Sequence, residues 1–139
     1  MRICGLANLT ALSTLLFSCA ATGRENSGTP VVFEFVHPSH GEHFFAATSD
    51  PSVIAAARAQ LALPLDQRML HMHGDIEAGD GGVNAPWSWH FVDGSWTLAE
   101  ISAEVCDGWP SYIEENLEEW LKSPGYFCPW SSRVLAERD

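Results

Sequence analysis

The segment Trp87-Ser88-Trp89-His90-Phe91-Val92-Asp93-Gly94-Ser95-Trp96-Thr97-Leu98 constrains this chain more than any other. Apolar and polar side chains alternate around Asp93-Gly94, and Asp-Gly is a favoured two-residue hairpin turn because its residues accept positive φ. A hairpin on that turn pairs Val92 with Ser95, Phe91 with Trp96 and Trp89 with Leu98. It puts Trp87, Trp89, Phe91, Trp96 and Leu98 on one face, and Ser88, His90, Val92, Thr97 and Ala99 on the other. So dense an aromatic face is expected to be a core that helices cover rather than a platform for ligand.

Other elements arrange themselves around that face. Val31–Val36 and Phe44–Thr48 are β-branched and aromatic runs flanking Pro38-Ser39-His40-Gly41, the pattern of another hairpin. Asp50-Pro51 predicts a helix start, with Asp50 as N-cap and Pro51 where its missing N–H is harmless. Ile54, Ala57 and Leu61 follow at helical spacing and Pro64 ends the element. Arg68–Glu77 reads as a strand running into the loop Gly79-Asp80-Gly81-Gly82. Ser111-Tyr112-Ile113-Glu114 has the capping-box pattern, opening a helix to Leu121 with a stripe of Ile113, Leu117, Trp120 and Leu121 and an acidic face of Glu114, Glu115, Glu118 and Glu119. The expected fold is α+β: a small antiparallel sheet of two hairpins plus an added strand, packed by two helices.

The cysteines fall into two pairs. Cys4 and Cys19 lie in an N-terminal stretch whose apolar run, Ile3–Phe17, is too short to span a bilayer core of ~30 Å as a helix, so residues 1–18 read as a signal peptide. Leu16-Phe17-Ser18-Cys19 resembles a bacterial lipoprotein signal, which would leave Cys19 as a lipidated first residue; Ser18-Cys19-Ala20 also suits ordinary signal peptidase and plain secretion. Residues 19–30 have a tether composition, and 31–139 the composition of a single domain. In an exported chain the two remaining cysteines, Cys106 and Cys128, are expected to form a disulfide, closing a loop that stabilises by roughly 3 kcal/mol in the chain-entropy model. Free or metal-bound thiols are the alternative in a reducing compartment.

Once Arg2 is removed with the leader, six basic residues face eighteen acidic ones, a formal charge of −12. That surface repels phosphates and anionic headgroups, which excludes nucleic acid as a partner and leaves a lipid anchor as the expected route to a membrane. An unidentified protein or a cationic ligand outside the cytoplasm fits better, with the chain itself a monomer. Six histidines invite a metal reading, yet His37, His40 and His43 sit across a turn, His71 and His73 share a strand face, and neither set has a zinc motif. They read as solvated turn and sheet-surface residues, with no metal or cofactor expected. Asp75, Glu77, Asp80 and Asn84 miss calcium-loop spacing, since Asp80 stands where a glycine is required. Ser88 near His90, and Ser131-Ser132 beside Arg133, are the candidates for nucleophilic chemistry. Along a strand, Ser88 and His90 stand ~6–7 Å apart, too far for a direct hydrogen bond, so no catalytic residue is assigned.

Pro86-Trp87-Ser88-Trp89-His90-Phe91, then Glu104-Val105-Cys106-Asp107-Gly108 with Pro110-Ser111-Tyr112-Ile113-Glu114, then Phe127-Cys128-Pro129-Trp130-Ser131-Ser132-Arg133-Val134, carry a resemblance. From Val31 to its end the chain resembles the N-terminal domain family of a slime-mould calmodulin-binding protein, also found in small exported bacterial proteins. The resemblance implies an α+β domain and supplies no catalytic residues. Calmodulin targets are typically basic amphipathic helices, whereas the C-terminal helix here is studded with glutamates, so the family's label is not carried over as a function. The expected function is non-catalytic binding, with Trp130 and Arg133, both common interface anchors, as candidate contacts beside Cys128. Against this stand Trp130 packed into the core and Arg133 answering nearby glutamates. A secreted protease inhibitor, with an exposed extended segment beside Cys128, and a hydrolase, with Ser88 or Ser131 bonded to a histidine, are the other classes carried forward.

Overall fold

The computed structural model describes residues 28–139; the leader, Cys4, Cys19 and most of the tether lie outside the described residues. The chain runs β1 (Val31–His37), β2 (Glu42–Thr48), α1 (Pro51–Leu61), β3 (His71–Ala78), β4 (Trp89–Phe91), β5 (Thr97–Ala99), α2 (Pro110–Glu115), α3 (Leu117–Lys122), β6 (Tyr126–Phe127) and β7 (Arg133–Arg138). Single 3-10 turns occur at Leu65–Gln67 and Glu104–Cys106. The fold is α+β, with two small antiparallel sheets instead of one.

The first sheet holds the expected N-terminal hairpin, in register from Val31↔Thr48 to His37↔Glu42 and closed where the Gly41 N–H donates to His37 O at 2.9 Å. On the other edge of β1 lies β7, so the C-terminus is the third strand. α1 begins as expected: the Asp50 carboxylate accepts from the Ser52 N–H at 2.8 Å, and Val53 and Ala57 turn inward.

In the second sheet β3 is the common partner of β4, β5 and β6. This overturns the hairpin register expected around Asp93-Gly94. A turn does form, with the Ser95 N–H on Val92 O at 3.1 Å and Gly94 at φ +73°. Yet β4 pairs with the C-terminal half of β3 (Ile76↔Phe91) and β5 with its N-terminal half (His71↔Ala99), instead of with each other. Each flank is only three residues long, so pairing them together offers few ladder bonds, whereas β3 accepts both. Trp89, Phe91 and Trp96 are buried all the same, because the periodicity that aimed them inward does not depend on which strand is the partner.

These rings meet Phe33, Phe35 and Phe44 of the first sheet and Phe127 of β6 between the two sheets: Phe35 stacks on Phe44 at 5.2 Å and meets Trp96 edge-on at 5.8 Å, while Phe91 stacks on Phe127 at 5.9 Å. Such aromatic pairs add about 0.5–1.5 kcal/mol each beyond their buried area. The predicted C-terminal helix is split at Asn116, and the capping box does not form. The Ser111 N–H and hydroxyl both donate to Glu42, at 3.0 and 2.6 Å, and the Glu114 carboxylate accepts from the N–H and hydroxyl of Ser88 at 2.8 and 2.7 Å. Both halves of the local motif are drawn into tertiary bonds that tie α2 to each sheet. Among the described residues no helix is long and apolar enough to cross a membrane.

Candidate functional site

Cys106 and Cys128 form the expected disulfide, Cα to Cα 5.1 Å, with both sulfurs buried. The Cys128 N–H donates to Cys106 O at 2.8 Å, which fixes the point where the chain leaves β6. From there Cys128-Pro129-Trp130-Ser131-Ser132 folds into a tight turn, the Ser132 N–H on Pro129 O at 2.9 Å, with Pro129 and Ser132 buried. Trp130 is held at both ends of its backbone: its N–H donates to the Asp107 carboxylate at 2.8 Å, and its carbonyl accepts from Arg133 Nη1 at 2.9 Å. Trp130 is left 39 % exposed, so it is not a core residue.

Arg133 does not answer a glutamate. Nη1 donates to the carbonyls of Trp130 and Ser132, at 2.9 and 2.6 Å, and no ion pair joins the guanidinium to a carboxylate among the described residues. Burial lowers its pKa, while an arginine stays protonated regardless. The other described cations are engaged otherwise. Arg58 pairs with Glu137, Arg138 with Glu34 and Lys122 with Glu118. Arg68 spends its guanidinium on the carbonyls of Leu61, Leu63, Val134 and Leu135.

Two clefts meet at Arg133. One, of ≈ 240 Å³, is lined by Met69, His71, Glu100, Ile101, Trp130 and Arg133; the other, of ≈ 590 Å³, by Pro38, Leu65, Asp66, Ser131 and Arg133. The smaller has an apolar mouth, with Met69 64 % and Ile101 86 % exposed. Sequence reasoning missed both residues. Their one signal was position, since each sits just outside a strand, beyond the alternation that marks the core.

His71 joins this cleft to a histidine network. The Ser102 hydroxyl lies 2.8 Å from His71 Nε2 and 2.9 Å from His73 Nδ1; with one proton to give, it donates to one ring and accepts from the other. His71 is buried, contrary to the solvated surface expected, and so is His37. Burial first, then Arg133 and His73, hold His71 below the usual imidazole pKa against the pull of Asp107. For His37, burial and His40 outweigh Asp107 and Glu42 in the same direction. His73 also lies close to both sulfurs, all three ligand atoms within 4.8 Å of one another. Bonded to each other, the sulfurs have no thiolate to give a metal, so that trio suits a cation only after reduction.

The serine candidates are placed elsewhere. Ser88 is hydrogen-bonded to Glu114 and His90 Nδ1 to Gly79 O, so the two do not act together. Ser132 is buried with its hydroxyl unpartnered, and no hydrogen bond links Ser131 to a histidine among the described residues. Nor is the segment beside Cys128 the extended strand an inhibitor presents, being a closed turn.

A family model described as the BP-74 N-terminal domain, matching the calmodulin-binding-protein family of the resemblance, covers residues 29–139, most of the chain. The comparisons with curated proteins and with solved structures returned no match.

Proposed function

The chain belongs to the BP-74 N-terminal domain family, and on that premise we propose that it is an exported, lipid-anchored, non-catalytic binding domain that holds its partner at the Met69–Ile101–Trp130–Arg133 surface. One observation carries the reading: Trp130 is fixed through its backbone by Asp107, Arg133 and the disulfide while its indole stays open beside two exposed aliphatic side chains. An aromatic anchor held in advance loses little freedom on binding, which is the condition for a hot spot. The partner is a protein or a ligand outside the cytoplasm; the net acidic charge favours a cationic one over the surface as a whole, and the Arg133 cleft is a local exception to that field. The leader and the disulfide support export, and Leu16-Phe17-Ser18-Cys19 supports acylation of Cys19.

Affinity capture from native envelope and medium tests the binding face, using immobilised disulfide-intact protein as wild type, Trp130→Ala and, as a control at a different exposed aromatic, Trp109→Ala. A partner retained by wild type and Trp109→Ala but lost with Trp130→Ala is the expected result; equal retention by all three overturns the assignment. Anchoring is read separately by intact mass. An acylated N-terminal Cys19 is expected, and an unmodified N-terminus at Ala21 overturns it.

A further inference from the structure

We propose that the cleft beside Trp130 binds a single carboxylate carried on a small apolar body, with Arg133 receiving the carboxylate through its Nε–Nη2 edge. The inference rests on the binding-face reading above and names the chemistry of the ligand. Both hydrogen bonds of Arg133 use Nη1 alone, so Nε and Nη2, the pair whose geometry matches a carboxylate in bidentate fashion, have no acceptor among the described residues. The two carbonyls also fix the guanidinium plane before any ligand arrives. Half-buried in a protein of net charge −11, a cation with an open edge is a local exception to the field around it. Its burial strengthens a charge-assisted bond, because less water competes.

The rest of the cleft selects the remainder of the ligand. Met69, Ile101 and Trp130 line an apolar volume of ≈ 240 Å³, the share of about eight waters at ~30 Å³ each, enough for one aromatic or branched aliphatic group. Glu100 on the same wall, with the acidic surface beyond, opposes a second negative charge, so a monocarboxylate is favoured over a phosphate or a dicarboxylate. His71 in the lining is a poor second cation, since burial first, then Arg133 and His73, hold its imidazole pKa below the usual value. That chemistry has two sources, a free hydrophobic acid and the C-terminal residue of a peptide.

The test titrates disulfide-intact, full-length protein by calorimetry with 3-phenylpropionate, its primary amide, a tetrapeptide ending in a free C-terminal phenylalanine, and the same peptide amidated. At least one acid is expected to bind, tenfold or more tighter than its amide. Preference for the free acid identifies a small-molecule ligand, preference for the peptide a protein C-terminus, and both support the proposal. Arg133→Gln is expected to abolish the difference between acid and amide, with Arg133→Lys intermediate because it keeps the charge and loses the fork. The acid–amide comparison on wild-type protein stands even where a variant folds poorly. Equal binding of acid and amide, or no binding of any probe, overturns the carboxylate assignment; loss of the captured partner in Trp130→Ala then still upholds the binding face, so the two failures are distinguishable.

Discussion

At Gly74 an added Cβ would lie 2.4 Å from the Cβ of Trp96 and 2.7 Å from its Cα, closer than any side-chain rotation can relieve. This is the point where the turn between β4 and β5 crosses β3, and the missing side chain lets the turn sit down on the strand. Gly74→Ala is therefore expected to cost at least about 2 kcal/mol, read as a lower urea midpoint with an unchanged slope; a variant as stable as wild type would refute the close approach. Other single residues close the outer edge of β2. Trp87 Nε1 donates to His43 O, Trp96 Nε1 to Ala47 O, and the Asn84 side chain accepts from the Phe45 N–H, at 2.7 Å in each case. Three alternate positions of an edge strand are thus satisfied by side chains in place of a further strand, which removes the unpaired groups that invite edge-to-edge association. The sequence marked Trp87 and Trp96 as apolar members of a core face. Their N–H groups had targets 44 and 49 residues away, and no local pattern encodes such a distance.

Among the elements, those closed by local chemistry were legible. The first hairpin and the Asp50-Pro51 helix start depend on residues a few positions apart, and the structure has both. The second hairpin and the capping box depended on equally local patterns and still did not form. Each lost to a tertiary partner: β3 took both flanks of the Asp93-Gly94 turn, and Glu42 and Ser88 took Ser111 and Glu114. The disulfide belongs to this scale, since it joins the turn before α2 to the end of β6 across both C-terminal helices. Replacing both cysteines, Cys106→Ala with Cys128→Ala, is expected to lower stability by roughly 3 kcal/mol, seen in denaturant unfolding of the variant against oxidised wild type. Because the turn carrying Trp130 hangs from Cys128, the same variant is expected to weaken partner capture more than its loss of stability explains. Capture that simply tracks the folded fraction would argue that Asp107 and Arg133 hold Trp130 unaided.

For the molecule as a whole, pH acts through a few buried groups. Glu34 lies inside the first sheet, where burial raises its pKa, but the bonds from His43, at 2.6 Å, and Arg138 outweigh this and hold it below the usual carboxylate value of 4.5. The folded state then resists protonation that the unfolded chain accepts, so the contribution is complete above pH 4.5 and is lost as pH falls below it. His71 has the same sign at higher pH: burial makes it harder to protonate in the fold than in the unfolded chain, whose value is 6.5, so it contributes above that value and loses ground below it. Falling pH also relieves repulsion among the eighteen acids, so each effect is best read as the difference between wild type and variant. The cost of His71→Gln is expected to shrink in urea unfolding from pH 7.5 to 5.5, and that of Glu34→Gln to shrink only below pH 4.5. A cost that grows on acidification would contradict the assigned direction.

By itself the sequence determined the inward turn of Phe33, Phe35, Phe44, Trp89, Phe91 and Trp96, because alternation along a strand expresses burial whatever the partner, whereas the burial of His37 and His71 came only with the tertiary structure. The sequence also determined the disulfide, from two cysteines in a chain read as exported, and the family, from motifs ordered along the chain. Only the tertiary structure decided which strand pairs with which, and that Trp130 stands open while Arg133 lacks a carboxylate. It alone joined Met69, Ile101 and Trp130 around one cleft. Pairing and surface are settled by competition among groups distant along the chain, and the free energies deciding that competition exist only once the partners are brought together.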